Sequence, residues 1–271
     1  MKLSKNPMIR KELRQRLRER RAWILPTIYI LLLASVVLFG YSETVGQRNT
    51  VQGADIGTAI FFAVIFAQVI VLLLMAPVFS AGGITIEKEQ RTFASLLTTL
   101  LAPPEIWWGK FVSSLLYLLL LLSSSLPLLA LSFAFGGVEP KDVLLATGYS
   151  ILVLGAVCSL GLFCSGLFRR SVHSTAAAYG FVLLLTILTT VVFVYLEEHW
   201  RRGGLPGIED MPVYVQAPLL LNPLYPFLSM TGDTGTSEFP YTLSSCLLFG
   251  AILLLAAAFA MRLLKRSGEQ A

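Results

Sequence analysis

GITIEKEQRTFASLLTTLLAPPEIWWGK, residues 83–110, interrupts an otherwise apolar chain between two long greasy runs. Glu87, Lys88, Glu89, Gln90 and Arg91 end any membrane-spanning helix by their charge. Phe93, Leu96, Leu97, Leu100 and Leu101 then recur at i, i+3, i+4, i+7 and i+8, which is one apolar face of a helix. Thr92, Ser95, Thr98 and Thr99 fall elsewhere on its circumference. Pro103 and Pro104 stop that helix. Glu105 falls in the first turn of the next one, where the helix dipole favours an acid. Trp107 and Trp108 follow at a position suited to an interfacial aromatic belt. The stretch therefore predicts an amphipathic helix lying along the bilayer, with its charged start turned away from lipid.

Working outward, the 271 residues are 55% hydrophobic and 14% charged, with a mean hydropathy of +0.73. A soluble domain of this length cannot hide that much apolar surface. Six runs are long enough for helices crossing a hydrocarbon core ~30 Å thick: 23–40, 58–82, 111–135, 143–168, 175–196 and 241–261, all free of Asp, Glu, Lys and Arg. They do not alternate as barrel strands would, and lipid leaves a spanning backbone no partner but its own helix. The expected fold is an all-α integral membrane bundle of six spans, forming one domain over 1–271. Seventeen of the 21 Lys and Arg flank one side, in 1–22, in 83–110, at Arg169–Arg170 and beyond residue 261. The other side has Arg48, Lys141, Arg201 and Arg202. The bias puts both termini and the 83–110 loop in the cytoplasm. The same bias accounts for the net charge of +5 without invoking nucleic acid. No clear small-x-small cleavage site follows the first run, so it reads as a span and not as a removed signal.

Residues 1–22 predict an interfacial helix. Asn6 suits an N-cap and Pro7 a first helical position. Ile9, Leu13 and Leu17 share a face, and basic residues including Arg10, Lys11, Arg14 and Arg18 cover most of the rest, as at anionic head groups. A solvated basic tail fits the same charges. On the outside, APLLLNPLYPFLSM at 217–230 is too short to span and is broken by three prolines. It reads as a re-entrant or interfacial segment before the last span, or as a surface loop with buried leucines. Gln68 is the one strongly polar side chain near a span centre. It is a candidate for lining a passage or for an interhelical hydrogen bond. Pairs such as Gly155 with Ser159 and Gly161 with Ser165 permit close helix approach, and Pro127 predicts a kink in the third span. Cys158, Cys164 and Cys246 lie inside spans at no metal-ligand spacing. Glu197, Glu198 and His199 are consecutive and diverge around a helix, so no metal site is expected.

The order of these motifs resembles the membrane subunits of ABC-2 type ABC transporters. That family follows its second span with E-x-E-x-G-T, an apolar run, then P-x-E-x-x-x-G-K. Glu87, Glu89, Thr92, Leu96, Leu97, Pro103, Glu105, Gly109 and Lys110 fit it. Arg91 stands where the family often has Gly, and Leu100 where it often has Pro. NPMIRKEL at 6–13 and LNPLYPFLSM at 221–230 resemble two further family segments. The resemblance implies a permease subunit, an exporter, in the inner membrane. Residues 83–110 would be its coupling helix, with Glu87, Lys88, Glu89, Arg91, Thr92, Phe93, Leu96 and Leu97 passing the stroke of a separate ATPase. A second permease subunit would complete the path, and ATP with magnesium would be used on the partner.

A phosphate-binding loop needs G-x-x-x-x-G-K-[ST]. Gly109–Lys110 is followed by Phe111, and Pro occupies 104. The pair reads as a helix boundary with a snorkelling lysine, so no cofactor, metal or catalytic residue is expected in this chain. A proton- or sodium-driven carrier normally places titratable groups near the midplane, and an intramembrane enzyme needs convergent His, Asp, Ser or Cys. The spans offer neither set. The remaining alternative is a polytopic scaffold without transport. Reversing Glu87 and Glu89 to Arg is expected to spare folding and uncouple the ATPase.

Overall fold

The computed structural model describes residue 18 and residues 21–47, 53–92, 103–202, 213–229 and 238–269. Six helices among them are long and apolar enough to cross a membrane: Trp23–Ser42, Ile56–Glu89, Pro104–Phe135, Pro140–Leu167, Ser171–Trp200 and Ser244–Arg262. The fold is the expected all-helical six-span bundle, and the chain is a multi-pass membrane protein. Helix α1 (Arg21–Gln47) is the first span and α2 (Gly53–Ser80) the second. A turn at Ala81–Ile84 leads into the short α3 (Thr85–Glu89). The third span is α4 (Pro103–Ser124) and α5 (Leu126–Phe135). Ser125 separates them and Pro127 lies in the first turn of α5, so the expected break sits where the proline removes a helical donor.

The fourth span, α6 (Pro140–Leu167), is the hub. It starts sharply because Glu139 N–H donates to the Asp142 carboxylate (3.2 Å) and Pro140 opens the helix. It packs on α2, α4, the fifth span and the last helix, α11 (Glu238–Glu269). Gly161 lets α2 close in: a Cβ there would sit 1.9 Å from Ser80 Oγ. Tyr149 meets Phe249, and Phe163 meets Phe259. These two contacts run in the same order along both helices, so α6 and α11 cross in the same direction. Gly40 lies against Ala63, late in α1 and early in α2, so those spans are antiparallel. The start of α1, the end of α2, the end of α6 and Arg262 therefore share one face of the bundle, the face predicted to be rich in Lys and Arg.

The fifth span comprises α7 (Ser171–Leu183), a π-turn at Leu184–Leu188 and α8 (Thr189–Arg202). The wider turn gives an extra bonding site to the segment after it, α9 (Val213–Leu220) and α10 (Tyr225–Ser229). Asn222 is buried and its Nδ2 donates to Thr186 O (3.2 Å) and Thr190 Oγ1 (2.8 Å). Thr186 is at the middle of that span, so the segment enters the bundle as a re-entrant element. Phe227 is fully buried and meets Tyr149 edge-on at 5.1 Å.

Candidate functional site

The polar residues of the opening stretch gather where α3 meets the ends of spans three, four and five. Helix α2 ends at Ser80 and a turn leads into α3, so the ends of the two helices need caps. Those caps come from distant residues. Ser165 Oγ, on α6, accepts from the N–H of Ile84 (2.8 Å) and of Thr85 (2.9 Å). Ser174 Oγ donates to Ala81 O (2.8 Å), and Ser114 Oγ to Phe79 O (3.0 Å). Gly83 is kept small by Leu162, which a Cβ would approach to 2.9 Å.

The three consecutive charges of α3 each engage a different span. Glu87 Oε1 pairs with Lys110 Nζ of α4 at 2.8 Å, and the same ammonium donates to Gly83 O at 2.5 Å. Lys110 is only 2% exposed. The expected snorkelling lysine is thus corrected: its ammonium turns inward to a carboxylate and a carbonyl. Lys88 Nζ donates to Ser165 O (3.3 Å), Gly166 O (2.5 Å) and Phe168 O (3.2 Å), the unpaired carbonyls that end α6. Glu89 accepts from Ser171 N–H (2.6 Å) and Ser171 Oγ (3.0 Å), at the start of α7. A cation at a helix C-terminus and an anion at an N-terminus both complement the macrodipole, each by ~0.3–1 kcal/mol at exposed sites.

The end of α3 is a Schellman turn. Thr92 N–H donates to Glu87 O (3.0 Å) and Arg91 N–H to Lys88 O (3.3 Å). Arg91 carries φ 57°, the left-handed region where glycine is cheapest. The outward face of α3 consists of Ile86, Glu89 and Gln90, and it continues into the exposed Arg91 and Thr92. Ile86 is 47% exposed. An exposed isoleucine between buried neighbours gave no separate signal in the sequence, because it fits the same apolar pattern as a core residue.

Of the remaining predicted residues, Phe93, Leu96 and Leu97 lie outside the described residues, as do Arg10, Lys11 and Arg14. Arg18 is helical and exposed. Gln68 is 1% exposed and its Oε1 accepts a short hydrogen bond from Ser125 Oγ at the α4–α5 break. It ties α2 to the third span. Trp107 is fully buried and stacked on Phe111 at 5.0 Å, while Trp108 is 38% exposed. Only Trp108 is therefore placed for the predicted aromatic belt. The Glu87→Arg and Glu89→Arg pair is not neutral for folding, since the first puts a guanidinium against the buried Lys110 ammonium and the second against an α7 N-terminus. Gly109–Lys110 lies inside α4, which offers no loop of free amides for phosphate. Among the described residues no group of three or more His, Cys, Asp or Glu gathers as a metal site would need.

No curated protein sequence matches the chain. The model of the ABC-2 family transporter proteins matches residues 7–268. Nearly the whole chain is covered, including all six spans, the α3 staple and the re-entrant segment, and the protein belongs to the ABC-2 family of membrane transport proteins.

Proposed function

We propose that this chain is the permease subunit of an ATP-driven exporter in the inner (cytoplasmic) membrane, with both termini and α3 on the cytoplasmic side. A separate ATPase binds and hydrolyses ATP with magnesium, and a second permease subunit, identical or not, completes the path. The observation that carries the reading is the family match over residues 7–268. The Lys/Arg bias supports the orientation, and the basic N-terminal segment suits anionic lipid head groups.

The ATPase docks on the outward face formed by Ile86, Gln90, Arg91 and Thr92, and Phe93, Leu96 and Leu97 belong to the same docking segment by sequence. Glu87 and Lys88 act on the inward side of the same element, and Glu89 holds Ser171 at its exposed edge. Nucleotide binding draws the ATPase domains together and pushes this segment, and the bundle changes its access. Spans free of charge in their middles suit an apolar or amphipathic cargo better than a small ion.

The test is a pull-down of the tagged chain from its host in mild detergent, with ATP hydrolysis assayed on the eluate. A stoichiometric, active ATPase supports the reading. A chain recovered alone in both detergent and nanodiscs overturns it in favour of a membrane scaffold.

A further inference from the structure

Three adjacent charged residues on one helical turn project about 100° apart. In α3 each lands on a different span: Glu87 on the third through Lys110, Lys88 on the fourth through three carbonyls, and Glu89 on the fifth through Ser171. Ser165 and Ser174 add bonds from the fourth and fifth spans to the turn before α3. The α6–α7 turn is short, so spans four and five are gripped at their shared end.

We infer that Lys88 and Glu89 are positioning residues that make α3 and the α6–α7 turn one rigid unit, so that a displacement of α3 is delivered to spans four and five as well as to span three. The inference rests on the reading that an ATPase drives α3. Glu87 and Lys110 carry the stroke to α4. Lys88 grips α6 by its carbonyl end, and α6 in turn packs on α2 at Gly161 and on α11 at Gly155. Glu89 holds α7 by its amide end. A cation on one helix terminus and an anion on the other hold the turn at both its ends, and neither bond can slide without exposing an uncapped helix end.

The test is hydrogen exchange on the full chain with its co-purified ATPase in nanodiscs, without nucleotide and with ATP plus vanadate. In the native chain, nucleotide changes exchange in 80–92, 104–116 and 164–176. In K88M/E89A the ATPase stays bound and the first two segments still respond, but the response at 164–176 falls by about twofold to tenfold. An undiminished response there overturns the inference. Faster exchange at 217–229 marks a variant that has lost its fold. In that event E89Q, which keeps an acceptor for Ser171 but drops the charge, is measured: a weakened response at 164–176 supports the link and a native one overturns it. If no ATPase is retained by the native chain, the proposed function falls and this link with it. If an active ATPase is retained but 164–176 stays silent to nucleotide, the link alone falls.

Discussion

Arg91 illustrates how a single residue can run against its backbone. The Schellman turn after α3 needs a left-handed residue, and Arg91 supplies φ 57° where glycine avoids a Cβ clash. Replacing it with Gly is expected to raise stability by about 1 kcal/mol, seen as a higher thermal midpoint of the purified chain in a fixed detergent. A lower midpoint would mean that the Arg91 side chain contributes more than its backbone costs. Glu87 and Lys110 make the opposite case. Removing Glu87 with Ala takes the carboxylate 2.8 Å from a nearly buried ammonium, a loss of up to roughly 3–5 kcal/mol for a buried pair. The apolar pair E87L/K110M recovers much of it, because neither member then leaves a charge behind. A double-mutant cycle by chemical denaturation reads this directly, and additive losses would contradict the pairing. The residue types of this pair were legible in the 83–110 pattern. Their partnership was not, since the intervening sequence carries no mark of which carboxylate meets which amine.

At the scale of elements, the spans were legible to within a few residues because length and lack of charge alone decide them. Their mutual arrangement was not. A helix that is apolar all round has no polar face to say which side meets lipid and which meets protein, and this is why Trp107 reads as a belt residue and lies in the core. The π-turn at Leu184–Leu188 was equally hidden, because nothing in LLTIL departs from an ordinary span. Small residues carried more. Gly161 was visible as one of a spaced pair, and the structure brings Ser80 against it. Gly161→Ala is expected to cost about 1–3 kcal/mol through overpacking, measured as a drop in thermal midpoint, whereas Gly148→Ala, whose Cβ would meet open space, should cost nothing by that route. Equal effects would argue against close packing of α2 on α6. Asn222→Ala should release the re-entrant segment from Thr186 and Thr190. Hydrogen exchange at 213–229 is then expected to rise about tenfold, with α6 unaffected; unchanged exchange would remove Asn222 as the anchor.

The whole molecule presents two ends of different character. One gathers the end of α2, the start of α4, the end of α6 and the start of α7 around the α3 staple, and the other carries the Glu139–Lys141 corner and the re-entrant segment. The proposed orientation, which rests on the charge bias, puts the first end in the cytoplasm. In a chain whose three native cysteines are replaced, a membrane-impermeant maleimide added to sealed cells should label a cysteine at Glu139 and spare one at Gln90. The reverse pattern would invert the molecule and remove any docking of an intracellular ATPase on α3. The family was legible from the order of loose motifs, and the structure adds their contacts: Glu87, Lys88 and Glu89 join one short helix to three spans. The most direct measurement places a photo-cross-linking amino acid at Gln90, and as a control at the exposed Leu144 near the opposite end of the bundle, in the living host. The expected result is a covalent adduct between the Gln90 variant and an ATPase bearing a phosphate-binding loop, with none from Leu144. Adducts only to lipid at Gln90, in a chain that reaches the membrane at its native level, would contradict an ATPase-coupled role for α3.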